Sequence, residues 1–308
     1  MEFLLSLGEY VAADLRIATP ILLAALGLLL MNRSGLINIG AEGIMLIATL
    51  VAVAGTYFFK SVWLGMLVAM LSGALMGLLF ALLTVTVRSN QIVVGAAFNI
   101  LGSGMSAMLY RIIFGLSTDV ITVSGFSDLR IPLLSDVPAL GTAFFSHMPI
   151  VYLAFLLVPA MSYFLFKTPA GLNLRSVGEN PKAADTLGVH VYRVRYYASV
   201  VGGMIIAAGG AFLSTGLLRF FSEEMVAGRG FIALAAVIFG RYKPMGVMIA
   251  AMLFALGTVG ANSLQALGSA IPYNFLVMIP YLLTIVALAG FAGKAVGPAA
   301  AGKPYKKG

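Results

Sequence analysis

The sequence predicts an all-α membrane protein, a single helix bundle with about nine transmembrane segments and a range of about eight to ten. Of its 308 residues, 61% are hydrophobic and only 10% are charged, and the mean hydropathy is +1.02. A chain of this composition cannot leave its apolar surface in water. Its apolar residues also fall into runs close to the length of about 20 residues that a helix needs to cross a bilayer. We therefore treat residues 1–308 as one transmembrane domain.

The predicted spans follow one another with short polar breaks. They are residues 15–31, 41–59, 63–87, 92–114, 149–166, 196–218, 245–264 and 273–291. Residues 2–14 mix apolar with acidic side chains and predict a helix that lies in the membrane interface. The apolar run 231–240 would give only about 15 Å of helix, half of a hydrocarbon core. This run is either a half-helix or a ninth, tilted span.

Gly73 and Gly77 stand four residues apart in the third span. This spacing lets a second helix approach closely in a membrane, so we expect it to serve packing.

Chemistry-bearing motifs are scarce. The chain has no cysteine, no GxxxxGK[ST] loop to hold ATP and no HExxH pattern. His147 and His190 fall in predicted loops on opposite sides and are expected at the surface. The sequence therefore predicts no catalytic residue, no metal and no cofactor. The net charge of +8 is not gathered on a solvated domain, so no nucleic acid partner is expected either.

Ionisable residues inside the spans are few, with Glu42 near one end and Arg111 near the other. A proton-coupled carrier needs such groups at membrane depth, so their scarcity favours transport driven by ATP on another chain. A stand-alone carrier with sodium sites made of carbonyls and hydroxyls, or a channel, remains an alternative. A membrane scaffold or enzyme has no positive feature in its support.

The charge pattern orients the chain. If the spans alternate, most of the 19 Lys and Arg residues collect on one face, and most of the 11 acids collect on the other. The positive-inside rule makes the first face cytoplasmic. This places the N-terminus outside the cell, and it places both the polar passage 168–195 and the basic tail 294–308 in the cytoplasm.

The passage 168–195 is the longest polar stretch between two strongly apolar segments, and it carries helix signals. Asn180 suits an N-cap, Pro181 suits the first helical position, and Gly188 can adopt the left-handed conformation that ends a helix. We predict a helix of about two turns at this place.

On this helix Ala183, Ala184 and Leu187 share one face at helical spacing. A small apolar face of this kind can enter a groove on a partner, and the plain alternative is a solvated connection between membrane helices. The loop resembles the cytoplasmic coupling loop of ABC transporter permeases. The residues that carry this resemblance are Gly178, Glu179, Asn180, Pro181, Ala183, Ala184 and Gly188.

Two further segments, 32–49 and 228–246, resemble other signatures of the permease family that serves simple sugars, branched-chain amino acids and nucleosides. Within this family, the three motifs most resemble those of the shorter permease of bacterial nucleoside importers. The resemblance implies a bacterial cell membrane protein that works with a second, often different permease chain, with ATPase subunits at the coupling loop and with a substrate-binding lipoprotein outside. It implies nucleosides as the cargo, with simple sugars as the alternative.

A neutral solute with a ring that can stack needs amides, hydroxyls and aromatic faces rather than charges. The candidates for the translocation path are Asn38, Glu42, Phe98, Asn99, Ser103, Asn262, Gln265 and Asn274. Each amide or hydroxyl can equally join one helix to another. We expect Glu42 chiefly to cap the positive N-terminal end of its own helix, with a gating role as the alternative.

Overall fold

Long helices make up most of the part of the chain that the structure describes. This structure is a computed structural model that describes residues 2–115, 121–130, 132, 135, 137, 140–266, 275, 278, 282 and 296–306, without the side chains of 2–6 and 130. The elements in order are α1 (Glu2–Arg33), α2 (Ala41–Phe59), α3 (Val62–Ala81), α4 (Gln91–Phe114), β1 (Leu129–Arg130), α5 (Leu140–Phe144), β2 (Ser146–His147), α6 (Pro149–Lys167), α7 (Pro169–Glu179), α8 (Pro181–Thr186), α9 (Val191–Phe212), α10 (Arg229–Phe239) and α11 (Pro244–Ala266). Single π-helical turns extend α3 over Leu82–Thr86 and α9 over Leu213–Leu217.

Seven helices in the described part are long and apolar enough to cross a membrane. They are Leu7–Arg33, Ala41–Phe59, Val62–Thr86, Gln91–Phe114, Pro149–Lys167, Val191–Leu217 and Pro244–Ala266. The all-α bundle is confirmed, with one two-stranded pairing between β1 and β2 outside the spans. The predicted last span, 273–291, lies almost entirely outside the described residues.

The first helix differs from the prediction. No break separates the predicted interfacial helix 2–14 from the span 15–31, because α1 runs through both and carries Pro20 inside it. The prediction of a separate interfacial helix was therefore wrong.

α3 and α9 pack closely against each other. A Cβ added at Gly73 would lie 2.3 Å from the carbonyl oxygen of Gly203, and one added at Gly77 would lie 2.3 Å from that of Ser199. The Ser199 hydroxyl donates to the Gly77 carbonyl at 2.7 Å. In lipid such backbone contact replaces the hydrophobic effect as the source of helix association. The packing role predicted for the two glycines is confirmed.

The α1–α2 loop, residues 34–40, runs along α4 into the bundle. The Ile37 N–H donates to Gln91 Oε1 at 2.7 Å, at the first residue of α4. Asn99, eight residues further along α4, donates to the Ile39 carbonyl at 3.0 Å. Since eight helical residues rise about 12 Å, α2 begins at membrane depth rather than at the membrane surface.

The α9–α10 segment, residues 218–228, enters the bundle from the opposite end. Near its start Phe221 packs its ring 4.9 Å from Tyr110, close to the end of α4. Near its end the Gly228 N–H reaches the carboxylate of Glu42, at the start of α2. α10 then covers about 16 Å in its 11 residues. Of the two alternatives for residues 231–240, the structure has the half-helix.

His147 departs from its predicted place. It is 1% exposed, its Nε2 lies 2.8 Å from the Ala143 carbonyl oxygen, and β2 pairs it with Leu129. Burial lowers the pKa of His147 below its usual range. The surface prediction was wrong for His147, because Arg16 of α1 and Ala143 of α5 contact its imidazole. It is confirmed for the exposed His190.

Candidate functional site

The helix predicted at Asn180 is α8, and its local signals act as expected. The Asn180 Oδ1 accepts from the Ala183 N–H at 3.1 Å, Pro181 opens the helix, and Gly188 has φ +85°. The sequence reasoning missed the helix before it, α7, which begins with the same kind of signal. There the Thr168 hydroxyl accepts from the Gly171 N–H at 3.1 Å.

The exposed face of α8 is not the predicted one. Ala184 is 2% exposed and packs against Val177 and Val191, so its assignment to the outward face with Ala183 and Leu187 is corrected. The side chain points back because α8 lies on α7 and α9, which cover one side of this short helix. Ala183 is exposed, and Leu187 is 85% exposed.

Two further residues of the predicted coupling set have contacts within the chain. Gly178 is buried, and a Cβ at this position would lie 2.2 Å from the Arg33 carbonyl oxygen, so the glycine allows α7 to touch the end of α1. Glu179 is exposed and accepts from the Ala299 N–H at 3.3 Å.

Two of the predicted path residues are committed to packing. Asn38 is fully buried, and its Oδ1 accepts from the Gly40 N–H at 2.8 Å. Phe98 is 6% exposed and packs edge-on against Phe80 with ring centroids 5.9 Å apart. Both residues shape the α1–α2 loop and its neighbours rather than an open surface.

Asn99 joins α4 to the start of α2 with both ends of its amide. Its Oδ1 accepts from the Gly43 N–H at 2.9 Å, while its Nδ2 donates to the Ile39 carbonyl. The side chain of Asn99 is half-buried. It therefore fixes the depth at which α2 begins while keeping one side open.

Glu42 caps a helix, but not its own. Its two carboxylate oxygens accept from the Gly228 and Gly230 N–H groups, each at 2.7 Å, at the N-terminus of α10. The N-cap position of α2 is a glycine with no side chain to offer, and the Asn99 amide caps the first turn of α2 instead. The prediction of a cap on its own helix is corrected, because the α9–α10 segment brings the unpaired N–H groups of α10 to this carboxylate.

Glu224 is a residue that sequence reasoning missed. Its carboxylate accepts a hydrogen bond from the Ser103 hydroxyl, and its side chain is exposed. Ser103 lies one turn after Asn99 on the same face of α4. We call Asn99, Ser103 and Glu224 the polar flank.

The polar flank lies at membrane depth, because Ser103 is twelve residues, about 18 Å, from the start of α4. Beside it Glu223 pairs with Arg111 at 2.8 Å. Only the acidic pair before a short apolar run marks this segment in the sequence, and that signal does not reveal that the chain turns back into the bundle.

The remaining path candidates do not join this group. Asn262 and Gln265 are exposed in the last two turns of α11, which packs chiefly against α1, α10 and α6. Asn274 lies outside the described residues. Among the residues that are described, no three His, Cys, Asp or Glu side chains cluster as metal ligands would.

Comparison with known proteins gives full-length matches. Residues 10–288 match the family described as "Branched-chain amino acid transport system / permease component". The chain is 39% identical to the "Guanosine ABC transporter permease protein NupQ" of Bacillus subtilis, over 100% of this chain and 99% of the relative. It is 37% identical to the "Nucleoside ABC transporter permease protein NupC" of Lactococcus lactis, with the same coverage.

A third relative carries a different substrate name. The "Putative glucose ABC transporter permease protein TsgC13" of Haloferax volcanii is 36% identical over 79% of this chain and 74% of its own length. All three relatives are named as ABC transporter permeases, and the family match covers most of the chain. The chain belongs to the family of branched-chain amino acid transport system permease components, and it is a multi-pass membrane permease of the ABC transporter class.

Proposed function

We propose that this chain is the permease subunit of a bacterial importer for nucleosides, driven by ATP hydrolysis on a separate subunit. The observation that carries the proposal is the 37–39% identity, over the full length, to permeases named for guanosine and for nucleosides. A nucleoside is neutral and polar, and its ribose hydroxyls can donate hydrogen bonds to a carboxylate.

The polar flank offers the groups that such a solute requires. Glu224 is exposed, and Asn99 and Ser103 are half-buried beside it. An ionisable side chain at membrane depth normally faces a bundle interior or a water-filled path rather than lipid. The carboxylate of Glu224 would accept from ribose hydroxyls, while the amide and hydroxyl of α4 would orient the solute.

The flank also supports a second permease chain. α4 is the least buried of the seven candidate spans, since 28% of its most apolar 18 residues are buried. Lipid is a poor cover for the polar flank, so we infer that a second permease, identical or different, closes the path on this side. A substrate-binding lipoprotein would deliver the solute at the outer end.

The ATPase would dock on α8. Leu187 is an apolar side chain at 85% exposure outside the spans, next to the exposed Ala183. We infer that a protein partner covers this small exposed apolar surface. In the orientation that charge favours, with the N-terminus outside and the basic segment 294–308 inside, α8 faces the cytoplasm. ATP binding would then push α8 as a lever and switch the path between inward and outward opening.

Simple sugars are the second candidate substrate. The glucose-named relative at 36% identity favours them, and a sugar also presents hydroxyls to a carboxylate. The two candidates differ in the nucleobase, which needs an aromatic or flat apolar surface in addition to the flank.

The test is uptake in proteoliposomes that contain this chain, its partner permease, the ATPase and the binding protein. We expect labelled guanosine to enter only with ATP, and excess glucose not to compete. Uptake by the purified chain without the ATPase would contradict the proposal in favour of a stand-alone carrier. Competition by glucose but not by adenosine would replace nucleosides with sugars.

A substitution at Leu187 tests the docking of the ATPase on α8. Leu187→Asp places a charge where an apolar contact is expected, so guanosine uptake should fall at least about 10-fold, a loss of ~1.4 kcal/mol. Leu187→Met keeps an apolar side chain of similar volume and should retain uptake. Full uptake by Leu187→Asp at equal protein level would remove α8 from the ATPase contact.

A further inference from the structure

Residues 296–306 form a non-helical segment, with turns over residues 299–302, that lies across the proposed cytoplasmic ends of several helices. We call it the strap. Its first contacts are with the ends of α1 and α7: the Ala300 N–H donates to the Gly178 carbonyl at 2.9 Å, and the Gly302 N–H donates to the Gly35 carbonyl at 3.1 Å. These two backbone hydrogen bonds tie α7 and the α1–α2 loop to the same short piece of chain.

Tyr305 anchors the strap on α8. It is 6% exposed and packs in one cluster with Val177 and Ala184. Its hydroxyl is hydrogen-bonded to the side chain of Asp185, and its carbonyl accepts from the Tyr192 hydroxyl at 3.4 Å. Burial and the hydrogen bond to Asp185 raise the pKa of Tyr305 above its ordinary value.

Arg195 forms a third connection beneath the strap. It is fully buried at the start of α9, donates from Nε to the Ser34 carbonyl at 3.3 Å and from Nη1 to the Lys303 carbonyl at 3.2 Å. Neither ion pair found among the described residues involves this guanidinium. A buried guanidinium that is held by backbone carbonyls is costly to displace, so it fixes the α1–α2 loop and the strap relative to α9.

A helix as short as α8 cannot transmit a push by its own rigidity. Six residues are far below the length of about 12 at which an isolated helix becomes stable in water. The strap supplies the missing support, because it contacts α8 through Tyr305 and the α1–α2 loop through Gly302. That loop ends where Asn99 and Glu42 hold the start of α2 and of α10.

We propose that the strap is a coupling element that joins α8 and the α1–α2 loop into one rigid unit, with Tyr305 as its positioning residue. A displacement imposed on α8 then reaches the start of α2 without being lost in a flexible connection. This inference rests on the proposed docking of an ATPase at α8. It adds the route by which that docking acts on the path.

The first test needs neither substrate nor ATPase. The chain has no cysteine, so Ala184→Cys introduces a single thiol under the strap. We expect this thiol to resist a maleimide in the otherwise native chain and to react at least 10-fold faster when Tyr305→Ala is added. Lys306→Ala, at an exposed neighbour, is the matched control and should change nothing. Equal labelling with and without Tyr305→Ala would overturn the strap as a cover of α8.

The second test measures coupling in the complete transporter. Tyr305→Ala should lower the amount of solute imported per ATP hydrolysed at least 5-fold, while Tyr305→Phe, which keeps the packing, should restore most of it. A merely structural role would lower uptake and hydrolysis together and leave their ratio unchanged, and that result would overturn the proposal.

The two tests distinguish a failure of the proposed nucleoside substrate from a failure of the proposed role of the strap. If the parent transporter imports no nucleoside, the proposed substrate fails, whereas protected Ala184→Cys and its exposure by Tyr305→Ala still support the strap. The ratio is then measured with whichever solute the parent transporter imports.

Discussion

The α1–α2 loop and the α9–α10 segment both carry non-helical backbone into the bundle. They differ in how exposed their polar side chains are. In the α1–α2 loop Ser34, Leu36 and Asn38 are buried, and the polar groups described above pair inside the protein. In the α9–α10 segment Glu223 and Glu224 are exposed.

We interpret this difference as a division of roles: the α1–α2 loop supports the fold, and the α9–α10 segment is open to the solute. Non-helical backbone is tolerated at membrane depth only where protein buries it or where it borders a water-filled cavity. The α1–α2 loop meets the first condition, and for the exposed carboxylates of the α9–α10 segment we propose the second. Glu42 connects the two segments, because it lies in the first turn of α2 and caps α10. Substitutions of the residues that hold the α1–α2 loop should therefore lower stability. Substitutions of the exposed carboxylates in the α9–α10 segment should lower the rate of transport.

The largest expected effect is that of Glu42→Ala. It leaves the Gly228 and Gly230 N–H groups without their acceptor in a buried place, which should cost about 3 kcal/mol of unfolding free energy. The unfolding temperature of the purified protein in detergent measures the loss. Glu42→Gln keeps one acceptor and should lose roughly half as much. A stable Glu42→Ala protein would show that the two segments do not depend on this carboxylate.

A smaller loss is expected for Asn99→Ala, which removes the bonds to Gly43 and Ile39. Two neutral hydrogen bonds and the partly buried groups left behind should cost about 2 kcal/mol. Ile100→Ala is the control on the same helix, since Ile100 is 77% exposed and should cost less than about 0.5 kcal/mol. The same thermal measurement applies, and equal losses in both variants would contradict the supporting role of Asn99.

The smallest change in stability is expected for Glu224→Gln, within about 0.5 kcal/mol, because the side chain is exposed. Guanosine uptake should nevertheless fall about 10-fold, equivalent to ~1.4 kcal/mol, if the carboxylate accepts from the solute. Glu9→Gln, an exposed carboxylate of α1, should leave uptake unchanged. Normal uptake by Glu224→Gln would place the path elsewhere.

The sequence by itself determined the features that depend on neighbours along the chain. The hydropathy of the runs predicted the seven described helices that are long and apolar enough to cross a membrane. The order Asn180, Pro181 and Gly188 predicted where α8 begins and ends. The spacing of Gly73 and Gly77 indicated a close helix contact, because that spacing places both glycines on one face. These signals act within a few residues, so they can be read without knowledge of the fold.

Only the tertiary structure decided what depends on distant parts of the chain. Ala184 packs in one cluster with Tyr305, which lies 121 positions away, and Glu42 caps a helix that begins 187 residues later. Glu224 meets Ser103 only because the chain turns back into the bundle after α9. Local periodicity states which side of a helix is apolar, but the partner that covers that side is chosen by long-range packing and by the need to pair every buried polar group.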